Sequence, residues 1–89
     1  MIDLTKYNLD DDDMLFLLQT EDWCINGQSE ITLEYKDKSF VLEPHGKTVQ
    51  VYGYGEVLGD YESFDDLLLN YKIDGKPLIE LVKDLEYGD

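Results

Sequence analysis

From Ile31 to Tyr54, apolar side chains recur at every second position, and only short turn signals separate the runs. Few folds tolerate that spacing. Ile31, Leu33 and Tyr35 alternate with Thr32, Glu34 and Lys36, the period-2 pattern of a strand with one buried face. Asp37-Lys38 connects directly to Ser39-Phe40-Val41-Leu42-Glu43. Pro44-His45-Gly46 supplies a second turn, with proline suited to a first corner and glycine to a positive φ. Lys47 to Tyr54 forms the third run, with Val49 and Val51 pointing one way. Parallel strands need long crossovers, so connections this short predict a three-stranded antiparallel meander.

Helical signals flank the meander. Asp10 to Asp13 stand directly before Met14-Leu15-Phe16-Leu17-Leu18-Gln19. Carboxylates there cap free amides and suit the positive end of the helix dipole. A short helix is predicted, with Met14, Leu17 and Leu18 on one face; a buried strand is the competing assignment for an unbroken apolar run. Gly53, Gly55 and Gly59 interrupt the stretch after the meander. Ser63 then precedes Phe64, Leu67, Leu68 and Tyr71, an apolar stripe with a capping serine. Asp74-Gly75 ends that element, and Pro77 opens a second stripe, Leu78, Leu81, Val82 and Leu85. The expected architecture is one α+β domain over residues 1–89. A three-stranded meander is packed by a short N-terminal helix and two C-terminal helices.

Composition bounds the partners. The 89 residues hold 21 acidic side chains against seven lysines and no arginine, a formal charge of −14, on an ordinary globular 43% of apolar residues. Phosphate backbones and anionic membranes are held by Lys and Arg, so neither nucleic acid nor membrane is an expected partner. One cysteine, Cys24, permits no internal disulfide. The polar, acidic segment from Met1 to Asp13 does not read as a leader, and the apolar run at 14–18 is too short to span a bilayer. A cytoplasmic location is the expectation.

No motif carries a chemistry. Counted from Asp10 as an EF-hand loop, the sixth position is Leu15 rather than glycine, and apolar residues fill the ligand positions. His45 reads as a turn residue, and Cys24 between Trp23 and Ile25 as a buried hydrophobe. Together they fall short of a zinc ligand set. Tyr52-Gly53-Tyr54-Gly55 matches neither glycine-rich nucleotide pattern. The C-terminal helix pair around Ile73-Asp74-Gly75 lacks the basic face of a DNA reader, since Glu80, Asp84 and Glu86 surround Lys83. No catalytic residue, cofactor or metal is expected.

What remains is the sheet face turned away from the helices, with Thr32, Glu34, Val41, Glu43, Gln50, Tyr52 and Tyr54, and the loop after it with Glu56 and Asp60. Tyrosines on a polar face serve interfaces well, giving area and a hydroxyl; alternatively they cover the N-terminal segment. The leading expectation is a non-enzymatic protein-interaction module. Its partner surface would be Glu34, Glu43, Gln50, Tyr52, Tyr54, Glu56 and Asp60, and its partner a basic protein. Special forms are an inhibitor or immunity protein plugging a nuclease, or a nucleic-acid mimic of the kind phages use against host defences. A small-ligand-binding domain is the second alternative, and a deep cavity rather than a flat acidic face is its mark. The oligomeric state is left open.

Overall fold

A computed structural model describes residues 6–53 and 55–88. The first helix, α1 (Asp11–Glu21), begins where the aspartates predict. The Asp13 amide donates to Asp10 Oδ1 at 2.9 Å and the Asp10 amide to Asp13 Oδ2 at 3.2 Å, a reciprocal capping box. The Asp13 amide, with help from Lys83, holds the Asp10 carboxyl below its ordinary value. Lys83 Nζ lies 2.6 Å from Asp13 Oδ2 and 3.4 Å from Asp10 Oδ2, tying this helix start to the far end of the chain. The helix runs straight into a wider π turn, Asp22–Asn26, closed by the Gly27 amide on the Asp22 carbonyl at 2.9 Å.

The run at 14–18 is therefore helical, but its buried stripe differs from the expected one. Leu17 and Thr20 are buried and Phe16 is half-buried, whereas Leu18 is 60% exposed. The reason sits across from the helix. Tyr87 stacks on Phe16 with ring centroids 4.6 Å apart, lies 5.4 Å from the Trp23 ring, and shares a 2.6 Å hydrogen bond with the buried Thr20 hydroxyl. An aromatic and a polar contact set the helix rotation, not the longest apolar run.

The sheet has five strands rather than three. The order is β4-β3-β2-β1-β7 in the numbering β1 (Ile31–Tyr35), β2 (Lys38–His45), β3 (Thr48–Gly53), β4 (Glu56–Tyr61), β5 (Lys72–Ile73), β6 (Lys76–Pro77) and β7 (Leu85–Tyr87). The expected meander is its centre, with Leu33 opposite Phe40 and Leu42 opposite Val51. Pro44 and His45 belong to β2, and the turn is displaced onto Gly46 and Lys47. Proline fits there because β1 shares no rung with β2 beyond Leu42, so no ladder donor is lost on that side.

The glycine-broken stretch forms β4, with a bulge between Val51 and Tyr52 that absorbs one extra residue. Helix α2 (Phe64–Asn70) follows as expected, its Asp66 amide capped by Ser63 Oγ at 3.0 Å. Asp74-Gly75 is not the end of a helical hairpin but the turn of a two-stranded one, β5–β6, with φ of 55° and 82°. Positive φ at both centres is the hairpin geometry that Asp-Gly adopts at least cost. The last apolar stripe forms a tight 3-10 helix, Leu78–Asp84, after which Leu85 opens β7 beside β1.

All the helical elements bury against one face of the sheet. Leu17, Cys24, Phe64, Leu67, Leu78, Ile79 and Val82 join Leu33, Phe40, Leu42, Val49 and Val51 in a single core. Cys24 is fully buried and its thiol is pushed up to about 11 by burial, which makes it a core hydrophobe rather than a nucleophile. The described part of the lead-in also joins this side, through Tyr7 and Leu9.

Candidate partner-binding face

Alternate residues of the same strands form the opposite face. Its middle row crosses four strands in register, with Thr32 opposite Val41, Val41 opposite Tyr52, and Tyr52 opposite Val57. Thr32, Val41 and Tyr52 are half-buried among their neighbours, and Val57 is 55% exposed. A second row, on one side, aligns Glu43, Gln50 and Asp60. A third, on the other side, sets Glu34 against Ser39 and, across β1–β7, against Glu86. The result is an apolar and aromatic band bordered on both sides by carboxylates.

Side-chain contacts hold parts of this face in place. The Tyr52 hydroxyl donates to Gln50 Oε1 at 2.5 Å, so the ring lies along β3 toward the acidic row. His45, the last residue of β2, lies 3.4 Å from Glu43 and is exposed. The Glu34–Glu86 register places like charges directly opposite each other, a pairing that destabilises a sheet.

Five of the seven anticipated residues, Glu34, Glu43, Gln50, Tyr52 and Asp60, come together here. Glu56 does not. It stands opposite Gly53, beyond the bulge, and its register carries it off this face. Tyr54 lies outside the described residues. Asp60 is reached through a strand, not through the loop expected after the meander. Val57 and Glu86 complete the face and were not among the anticipated residues. Val57 was obscured by the glycines around it, and Glu86 by a helical stripe that runs without a break into Leu85.

Among the described residues, no cluster of His, Cys, Asp or Glu is arranged to hold a metal ion, and no helix is long and apolar enough to cross a membrane. No protein-family model matches the chain, and no curated protein or solved structure matches it significantly.

Proposed function

We propose that the protein is a non-enzymatic interaction module whose open sheet face receives the basic surface of a protein partner. The observation that carries this reading is the band Thr32–Val41–Tyr52–Val57 bordered by Glu43, Asp60, Glu34 and Glu86. Such a face has the anatomy of an interface: an aromatic and apolar centre supplies affinity, and a charged rim speeds encounter and rejects wrong partners. The opposed Glu34 and Glu86 add to the acidic rim, in a depression that Lys36 and Lys83 also line. Inhibition of a nuclease, or mimicry of nucleic acid, is the special case in which the partner's basic surface is itself an active site or a DNA-binding groove.

The test is affinity capture at low and high salt with the wild-type protein and three variants. A basic partner held by wild-type protein and released by salt is expected to be lost with Glu43→Lys/Asp60→Lys and weakened by Tyr52→Ala. Asp12→Lys, which changes charge on α1 and not on the face, is expected to retain it. A partner that tolerates the double reversal as well as it tolerates Asp12→Lys does not use this face, and the proposal fails.

A further inference from the structure

The lysines are distributed unevenly. Lys36 and Lys38 flank the β1–β2 turn, and Lys72 and Lys76 lie in the β5–β6 hairpin. These two turns meet, because Lys38 Nζ lies 2.8 Å from Asp74 Oδ1. Lys36 turns to the open side, where it lines a depression with Glu34, Asp84 and Glu86, whereas Lys38 and Lys72 lie together with Asp74. Where the two turns meet, Lys38 and Lys72 outnumber Asp74, in a chain whose formal charge is −14.

A cavity of about 280 Å³ opens between the two turns. Phe40 and Tyr71 form its wall, meeting edge-on with ring centroids 5.5 Å apart. Leu58 and Ile73 add aliphatic surface, and the Lys38 and Lys72 side chains line its polar side. Leu58 is there because of the bulge. The β3–β4 register skips it, passing from Val57 opposite Tyr52 to Gly59 opposite Val51. Its side chain occupies the space above Gly53, where a Cβ would meet Leu58 Cδ1 at 2.7 Å. Leu58 still remains 44% exposed, an apolar side chain turned to the cavity and open to solvent. Bulges next to binding sites commonly re-aim a side chain in this way.

The polar groups select the sign of the ligand. Lys38 is already shared with Asp74, whereas Lys72 makes no ion pair among the described residues. Burial pushes the Tyr71 hydroxyl above its ordinary value, so at neutral pH it is an uncharged donor.

We propose that this cavity binds a small organic monocarboxylate with a compact ring or aliphatic body. The body packs on Phe40, Tyr71, Leu58 and Ile73, and the carboxylate pairs with the Lys72 ammonium. Its volume falls just below the usual range of ligand cavities, roughly 300–1,000 Å³, which restricts the ligand to a single-ring acid. Asp74 at the mouth and the charge of the whole chain disfavour a dianion such as phosphate. The site lies on the covered side of the sheet and is independent of the partner-binding face.

3-Phenylpropionate, 3-phenylpropanol and 3-phenylpropylamine, titrated into ¹⁵N-labelled protein, test the proposal. The acid is expected to give saturable shifts at the amides of Ser39, Phe40, Leu58 and Ile73. Lys72→Met keeps the aliphatic stem of an exposed side chain and is expected to weaken it about tenfold. The alcohol should bind about tenfold more weakly than the acid, and the amine should leave these amides unmoved. The proposal is overturned if the acid causes no saturable shift there at millimolar concentration, if acid and alcohol bind alike, or if Lys72→Met binds as wild type does.

Discussion

The two faces of the central sheet are built from the same strands and differ only in which residue of each pair is displayed. On the covered face Leu42, Val49 and Val51 are fully buried under the helical elements. One residue along each strand, Val41, Gln50 and Tyr52 are half-buried and bordered by carboxylates. The difference separates two surfaces at single-residue resolution. Apolar burial is concentrated in one parity of the strands, and the other displays the polar and charged side chains, the opposed Glu34 and Glu86 among them.

The largest effect that sharpens this contrast is truncation of adjacent residues on opposite faces. Leu42→Ala is expected to cost about 2–5 kcal/mol, the range for removing a fully buried leucine side chain. Val41→Ala, on the open face, should cost no more than about 1 kcal/mol. Denaturant unfolding of the two variants measures both, and equal losses would break the division between the faces.

Gly53→Ala is expected next, with a loss of about 1 kcal/mol, because the new methyl group displaces the Leu58 side chain rather than rigid backbone. Thermal unfolding gives the cost, and the Leu58 methyl resonances should shift.

Glu86→Lys carries the opposite sign. Replacing the carboxylate across from Glu34 by an ammonium is expected to raise stability by roughly 0.2–1 kcal/mol, while weakening capture of a basic partner. A loss of stability would show that the facing carboxylates are not a burden.

The smallest effect is acid sensitivity at the margin of the covered layer. Asp10 titrates below its ordinary value of 3.8, chiefly through the Asp13 amide. A depressed native value means that its stabilising contribution is complete above the unfolded value and disappears as pH falls through the native one. Amide exchange at the start of α1 is therefore expected to accelerate on acidification across that interval, before global unfolding. Asp10→Asn should remove most of this acid dependence while preserving a cap.

Much of the covered face was legible in the sequence, because Ile31, Leu33, Tyr35, Phe40, Leu42, Val49 and Val51 declare a period of two. The helix starts at Asp10 and Ser63 were legible for the same local reason, a side-chain oxygen placed before an apolar run. The C-terminal third was not. Leu78, Leu81, Val82 and Leu85 have helical spacing, yet only a short 3-10 helix forms before Leu85 is drawn into pairing opposite Tyr35, a contact between distant parts of the chain. Asp74-Gly75 did carry a hairpin signal, overridden in the reading by the apolar stripes on either side of it. On the candidate face, Glu43, Gln50 and Asp60 align through strand pairing across two turns. Their alternation was visible, but the bulge that excludes Glu56 depends on backbone geometry that no residue type announces.

The pairing of β7 with β1, and of Tyr87 with Phe16 and Thr20, has a consequence for the edge of the sheet. Helix α1 receives its aromatic and polar partner from a strand 67 residues further along the chain. Without that strand, the five-residue β1 would be the edge of the sheet and α1 would lack the group that fixes its rotation. With it, the edge passes to the three-residue β7, and so short an edge strand offers a neighbouring sheet little to pair with.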